Sequence, residues 1–182
     1  MVGSDRALAS SANQQRSRVM SRKYESIEEC YDSGYRDIVA LIHRSGMALD
    51  LEKFDDYMSL CTPEFHYQIT AYSPEIRKEM IWMDQDYEGM KALLAMVPQH
   101  LRRLGSLIRH ITVGIVELGA QSINVTSTVQ VVHTDLNGSS SLFVAGRYYD
   151  QVVLSDVGAQ LITDRRVHLE TRDLGIGSHV PM

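Results

Sequence analysis

The residues that could carry redox or metal chemistry are two cysteines, Cys30 and Cys61, and seven histidines, His43, His66, His100, His110, His133, His168 and His179. A mixed Cys/His iron–sulfur centre takes two ligands of each kind. Here Cys30 is followed by Tyr31-Asp32 and Cys61 by Thr62-Pro63, so neither has a histidine at a neighbouring offset. A mononuclear iron site takes two histidines and a carboxylate. No two histidines stand three or four residues apart, the spacing that places a pair on one helical face. Strands could still bring distant ligands together, but a surface or hydrogen-bonded role is the simpler reading of each histidine. Both cysteines sit in apolar, helix-like surroundings and read as buried reduced thiols. The chain has no Gly-x-Gly-x-x-Gly dinucleotide loop, no phosphate-cradling Gly-Lys-Ser/Thr loop and no Gly-x-Ser-x-Gly nucleophile turn.

The charged residues suggest surfaces rather than catalysis. Arg102, Arg103, Arg109 and His110 form a basic cluster that could meet a partner's acids or a bound anion, or be a solvated face. Arg147, Arg165, Arg166 and Arg172 fall on late strands, with Asp150, Asp164, Glu170 and Asp173 near them. A mid-strand arginine is costly to bury unless paired, and arginine suits bidentate pairing at interfaces. The pattern fits a sheet whose outer face meets another subunit; an exposed face laced with salt bridges fits nearly as well. Arg109, His110, Arg147, Arg165, Arg166, Arg172, Asp173 and His179 are therefore the candidate interface set. His66, Tyr67, His110 and His133 could line a pocket mouth and do acid–base work. Strand phase points His66 and His110 away from the apolar face of their own strands.

These residues need elements to hold them. Ser26-Ile27-Glu28-Glu29 has the form of a capping box, and Ile27, Tyr31, Tyr35, Ile38 and Ile42 share a helical face ending near Gly46. Asp50 opens a second helix lined by Leu51, Phe54, Tyr57, Met58 and Cys61, stopped by Thr62-Pro63. Residues 64–72 alternate, with Phe65, Tyr67, Ile69 and Ala71 on one side, as a strand does. Residues 75–83 fit strand or helix. Asp84 or Asp86 caps a third helix bearing Met90, Leu93, Leu94 and Val97, and Pro98 kinks or restarts it. The rest reads as strands over 108–118, 122–134, 142–154 and 160–171. Ile111, Val113 and Ile115 share a face of the first. Asn137-Gly138 and Asp156-Val157-Gly158 make the turns. Helices followed by an antiparallel meander give an α+β domain.

A chain of 182 residues makes one domain with a core that needs no staple. Its net charge of -5 argues against a general nucleic-acid binder. No apolar run is long enough to span a bilayer. Residues 1–23 carry Arg6, Arg16, Arg18, Arg22 and Lys23 against Asp5 alone, loosely like a transit peptide. A polar arm is the simpler reading, followed by a single domain over 24–182.

Four segments resemble the small (β) subunit of Rieske-type aromatic-ring-hydroxylating oxygenases. Ile108-Arg109-His110-Ile111-Thr112-Val113 is similar to that family's Arg-His strand opening, and Ala145-Gly146-Arg147-Tyr148-Tyr149-Asp150 to its Gly-Arg-Tyr-x-Asp strand. Arg165-Arg166-Val167-His168-Leu169-Glu170-Thr171 resembles its Arg-Arg-x-Val-x-Leu-Asp strand, with Glu170 where Asp is usual. Leu174-Gly175-Ile176-Gly177-Ser178-His179 is similar to the family's ending. The resemblance implies the cone-shaped fold of the nuclear-transport-factor-2-like superfamily, a curved antiparallel or mixed sheet with helices in its concave face. It implies a cytoplasmic α3β3 assembly. The larger catalytic α subunit would hold the Rieske [2Fe-2S] cluster and mononuclear Fe(II), fed from NADH through a reductase and a ferredoxin. For this chain it implies a structural role with no catalytic, cofactor or metal residues. The segments 72–83 and Pro98–Gly105 depart from the usual aromatic dioxygenases. They suggest an outlying branch, compatible with the hydroxylases of methanesulfonate monooxygenases. A stand-alone cone-fold dehydratase or isomerase, or a small-ligand-binding module, would need an open pocket instead.

Overall fold

The computed structural model describes residues 27–99, 104–119, 121–174 and 181–182, with the side chains of 27–33 and of Gln99 left aside. The chain falls into two units, up to Ile38 and from Val39 onward. The described part of the first is the opening of helix α1 (Ile27–Asp50). Ser26, of the expected capping box, lies outside the described residues.

The second unit contains the rest of α1, a short helix α2 (Phe54–Ser59), strands β1 (Cys61–Ser73) and β2 (Lys78–Asp86), helix α3 (Tyr87–Met96) and a 3₁₀ turn (Val97–Gln99). Strands β3 (Ser106–Leu118), β4 (Ile123–Thr134), β5 (Ser140–Leu154) and β6 (Gln160–Leu169) follow. They form one six-stranded sheet in the order β2-β1-β6-β5-β4-β3. Every neighbouring pair is antiparallel except β1 with β6, which is parallel. The class is α+β, as expected, and the sheet is mixed.

The alternation in β1 is as the sequence pattern predicts. Phe65, Tyr67, Ile69 and Ala71 are buried, and His66, Gln68, Thr70 and Tyr72 take the other face. Val125, Val129 and Val131 of β4, Val144, Tyr148 and Val152 of β5, and Val167 and Leu169 of β6 complete the inner face. Helix α3 packs on β1 and β2 through Met90 and Leu94. Its N-cap is Asp86, whose carboxylate accepts from the Gly89 amide at 2.8 Å.

Three expectations change. Helix α1 runs through Gly46 to Asp50. Gly46 is there because a Cβ would lie 2.6 Å from Ile111 Cδ1, so it permits close approach of α1 to β3. Asp50 does not open α2, which starts at Phe54, and Leu51 is exposed. Ile115 does not share a face with Ile111 and Val113. The β3–β4 register shifts between Val113 and Ile115, and Ile115 emerges exposed. One extra residue in a strand turns every later side chain to the opposite face.

Candidate functional site

Two arginines are buried on the inner face, each held by a carboxylate. Arg165 of β6 stands opposite Asp150 of β5 in the strand register. Its Nε donates to Asp150 Oδ1 at 2.6 Å and its Nη2 to Oδ2 at 3.0 Å, and both side chains are fully buried. The guanidinium also lies over the Tyr148 ring, 4.5 Å from its centroid. Burial works against the Arg165 charge, but Asp150 outweighs it. Burial also raises the Asp150 pKa against the guanidinium's lowering pull. Such a pair needs both members in place: one without the other is an uncompensated buried charge.

The second pair joins β3 to α1. Arg109 Nη1 donates to Asp50 Oδ1, and the Arg109 backbone amide donates to Asp50 Oδ2 at 2.9 Å. Arg109 Nη2 donates to the Pro181 carbonyl at 2.5 Å. Tyr67 Oη accepts from the Met182 amide at 2.8 Å and donates to the Met182 carbonyl at 3.4 Å. Tyr57, Phe65, Tyr67, Tyr148 and Met182 are all buried to within 1%. Among the described residues, these side chains close the inner face to solvent here. Burial raises the pKa values of the Tyr57, Tyr67 and Tyr148 hydroxyls, so these phenols stay protonated at neutral pH.

The outer face carries an exposed ladder. His66 of β1 bridges two strands: Nε2 lies 2.8 Å from Asp84 Oδ1 on β2, and Nδ1 lies 2.9 Å from Asp164 Oδ1 on β6. Burial alone would lower the His66 pKa, but the bonds to Asp164 and Asp84 outweigh it and raise it. An imidazole bonded to two carboxylates needs a proton on each nitrogen. Gln68 Nε2 donates to Asp84 Oδ2 at 2.8 Å; that bond, then His66, lowers the Asp84 pKa. Arg166 Nε touches Asp164 at 3.2 Å, Arg147 Nη1 touches Glu170 at 2.5 Å, and Arg172 forks onto both Glu75 oxygens at 2.7 and 2.9 Å. The Arg172 bonds hold the Glu75 carboxyl at a pKa of about 2.

Of the candidate interface residues, Arg147, Arg166 and Arg172 are exposed, as are His110 and Asp173. Arg109 and Arg165 are corrections. They point inward, held by Asp50 and Asp150, and have no share in an outer surface. The signal was in the strand phase: Arg165 shares a parity with Val167 and Leu169, and Arg109 with Ile111 and Val113. His179, Arg102 and Arg103 lie outside the described residues. His133 is buried, its Nε2 3.0 Å from the Leu104 carbonyl, while His66 and His110 point outward, so they do not converge on a pocket. Gly146 is fixed by close approach: a Cβ there would run into the His168 carbonyl.

Among the described residues, no three His, Cys, Asp or Glu side chains are grouped to hold a metal ion. Cys61 is buried, donates to the Tyr57 carbonyl at 3.5 Å, and burial pushes its thiol up to about 12. A ligand thiolate needs the opposite shift. These residues do not fit an iron–sulfur or mononuclear iron centre. No helix among the described residues is long and apolar enough to cross a membrane.

The SnoaL-like domain matches residues 33–165, and this is the class of protein that the fold defines. A chain assigned as the β subunit of an aromatic-ring-hydroxylating dioxygenase from Novosphingobium aromaticivorans superposes with a TM-score of 0.73. The superposition covers 85% of this chain and all of that one at 16% identity, so it speaks for the fold alone. The β subunit of 2-aminobenzenesulfonate 2,3-dioxygenase from Alcaligenes sp. is 34% identical over 146 residues, 80% of this chain and 97% of the relative. The β subunit of methanesulfonate monooxygenase hydroxylase from Methylosulfonomonas methylovora is 34% identical over 152 residues, 78% of this chain and 83% of the relative. The chain belongs to this family of oxygenase β subunits.

Proposed function

We propose that this chain is the β subunit of a multicomponent oxygenase, holding a larger catalytic α subunit rather than carrying the active site itself. The observation that carries the reading is the 34% identity to two β subunits over 80% and 78% of the chain. The burial of Tyr57, Phe65, Tyr67 and Tyr148 on the inner face supports it, because a stand-alone dehydratase, isomerase or ligand-binding module needs open space among acid–base groups. In this reading the assembly is α3β3, the α subunit holds the Rieske [2Fe-2S] cluster and mononuclear iron, and NADH supplies electrons through a reductase and a ferredoxin. The complex works in the cytoplasm. The substrate is a sulfonate, the group common to the substrates named for the two relatives. The α-facing surface is the outer ladder around Arg147, Arg166, Arg172, His110 and Asp173. Its ion pairs are exposed and worth little within the monomer, so a partner's acids can take over the arginines at small cost. The division in this reading is a polar segment over residues 1–23 and one domain over 24–182.

The test is native purification of a tagged chain, followed by light scattering and iron analysis. The reading expects a complex of roughly 200 kDa containing a larger iron-bearing chain, the size of a closed trimer of such pairs. Recovery alone, as a metal-free dimer or trimer, would overturn it. In that complex the double change Arg166→Glu and Arg172→Glu should release the α subunit at moderate salt. Intact assembly would remove the interface assignment and leave the subunit reading standing.

A further inference from the structure

A run of polar contacts crosses the outer face over three strands. Arg166 Nε lies 3.2 Å from Asp164 Oδ2, Asp164 Oδ1 lies 2.9 Å from His66 Nδ1, and His66 Nε2 lies 2.8 Å from Asp84 Oδ1. Gln68 Nε2 closes the far end on Asp84 Oδ2. Arg166 and Asp164 stand on β6, His66 and Gln68 on β1, and Asp84 on β2. Asp164 is the covered member, with 14% of its side chain exposed, and it meets a cation on each oxygen when His66 carries its second proton. Acids face His66 from both neighbouring strands: Asp164 from β6, and Asp84 with the register partner Asp86 from β2. Glu64 and Gln68 stand two positions away on its own strand. Arg166, beyond Asp164, is the cation that balances this group.

A neutral imidazole has one N–H and one lone pair. Each His66 nitrogen is within hydrogen-bonding distance of a carboxylate oxygen, so loss of a proton turns one of the two contacts repulsive. Half-exposed Asp84 has water and Gln68 to turn to, whereas covered Asp164 does not, so the remaining N–H belongs to Asp164. In the subunit reading, a partner's acid takes Arg166 from Asp164. That exchange leaves the imidazole as the countercharge of Asp164, and a carboxylate so uncovered holds a proton on its neighbour more firmly. We propose that His66 is the proton-linked element of the α-facing surface, taking up a proton when the α subunit captures Arg166, so that association tightens as pH falls. This inference rests on the subunit reading and adds a regulation to it. The sign follows from linkage: binding draws a proton, so acid favours the complex and alkali favours separation, between the His66 pKa of the free chain and the higher one of the complex. Asp84, Asp86 and Glu64 act in the same direction, since each favours the charged imidazole.

The test uses the complex purified through the tagged chain, native and His66→Gln, dissociated with salt from about pH 6 to about pH 9 and followed by light scattering. In the native complex the dissociation constant should rise with pH by up to about tenfold per unit, the limit for one linked proton. His66→Gln keeps a side chain that can bond but not titrate, and it should flatten that slope. A slope that survives His66→Gln, or a native complex whose dissociation ignores pH, would overturn this inference and leave the subunit reading in place. A chain recovered without a larger iron-bearing partner would remove both. Arg166→Ala in the full chain imitates the capture with no partner present. It should raise the His66 pKa, followed by imidazole NMR, and an unchanged or lower value would overturn the coupling. That titration decides should the His66→Gln chain fail to assemble.

Discussion

Arg165 and Arg166 are neighbours in the chain and end on opposite faces of β6. Arg165 is fully buried and held by two parallel hydrogen bonds to Asp150. Arg166 has 61% of its side chain exposed and meets Asp164 through one contact at 3.2 Å. The chemistry is the same; the surroundings are not. Inside, water cannot replace a missing partner, so each member of the pair depends on the other. Outside, water and ions screen the pair and either member can change partners. The inner face is therefore where charge fixes the fold, and the outer face is where charge is available to another protein.

That contrast can be broken most forcefully at Asp150. Asp150→Ala strands the Arg165 guanidinium and should cost about 3–5 kcal/mol in urea unfolding, the usual penalty for orphaning a buried ion. Replacing both residues together, as Asp150→Leu with Arg165→Met, should recover most of that loss. If the double change is as damaging as the single one, the pair is needed for its geometry and not merely for balance.

His66 tests the outer face with a smaller effect. Its pKa is raised in the folded chain, so its bridge contributes fully below the unfolded value near 6.5 and is lost as pH rises through the folded value. The lowered Asp84 pKa works from the other side, contributing above the unfolded carboxylate range and fading as pH falls through the folded value. The bridge should thus be strongest from about pH 4 to 6.5. His66→Ala should cost under about 1 kcal/mol there, and less at pH 9. Unfolding curves at pH 6 and pH 9 would check it; a larger cost at pH 9 would mean that neutral His66 is packing, not bridging.

The smallest effect is expected at Glu75. Arg172→Ala should raise its pKa from about 2 toward the ordinary carboxylate range, with the backbone and Ser73 bonds still holding it down, followed by carboxyl NMR, while the melting temperature hardly moves. A large drop in melting temperature would show that this exposed pair behaves like the inner ones.

The strand pattern made much of this legible. Alternation placed Phe65, Tyr67 and Ile69 together, because one face of β1 is buried and the other is wet. Asp84 or Asp86 is marked as a cap, which proves to be Asp86, and Gly138 and Gly158 mark two turns by local chemistry. What stayed hidden was non-local or cumulative. The bulge after Val113 sends Ile115 outward, and nothing in the apolar spacing announces it. The pairing of β1 with β6 joins residues 98 apart, such as His66 and Asp164, beyond the reach of any periodicity. Grouping the arginines by type and position rather than by phase puts Arg109 and Arg165 on the surface, although the parity of their apolar neighbours points them inward.

The β1–β6 seam also sets a timetable. While the chain is being synthesised, the β1–β2 hairpin is complete long before its lateral neighbour exists, and the meander from β3 to β5 also emerges with an unpaired edge. Contacts this distant in sequence form late and slowly. Until β6 leaves the ribosome, β1 and β5 each present open backbone donors and acceptors, the template on which strands of other molecules add. A nascent chain that stalls before Gln160 would be sticky along two borders, and β6 closes both in a single step.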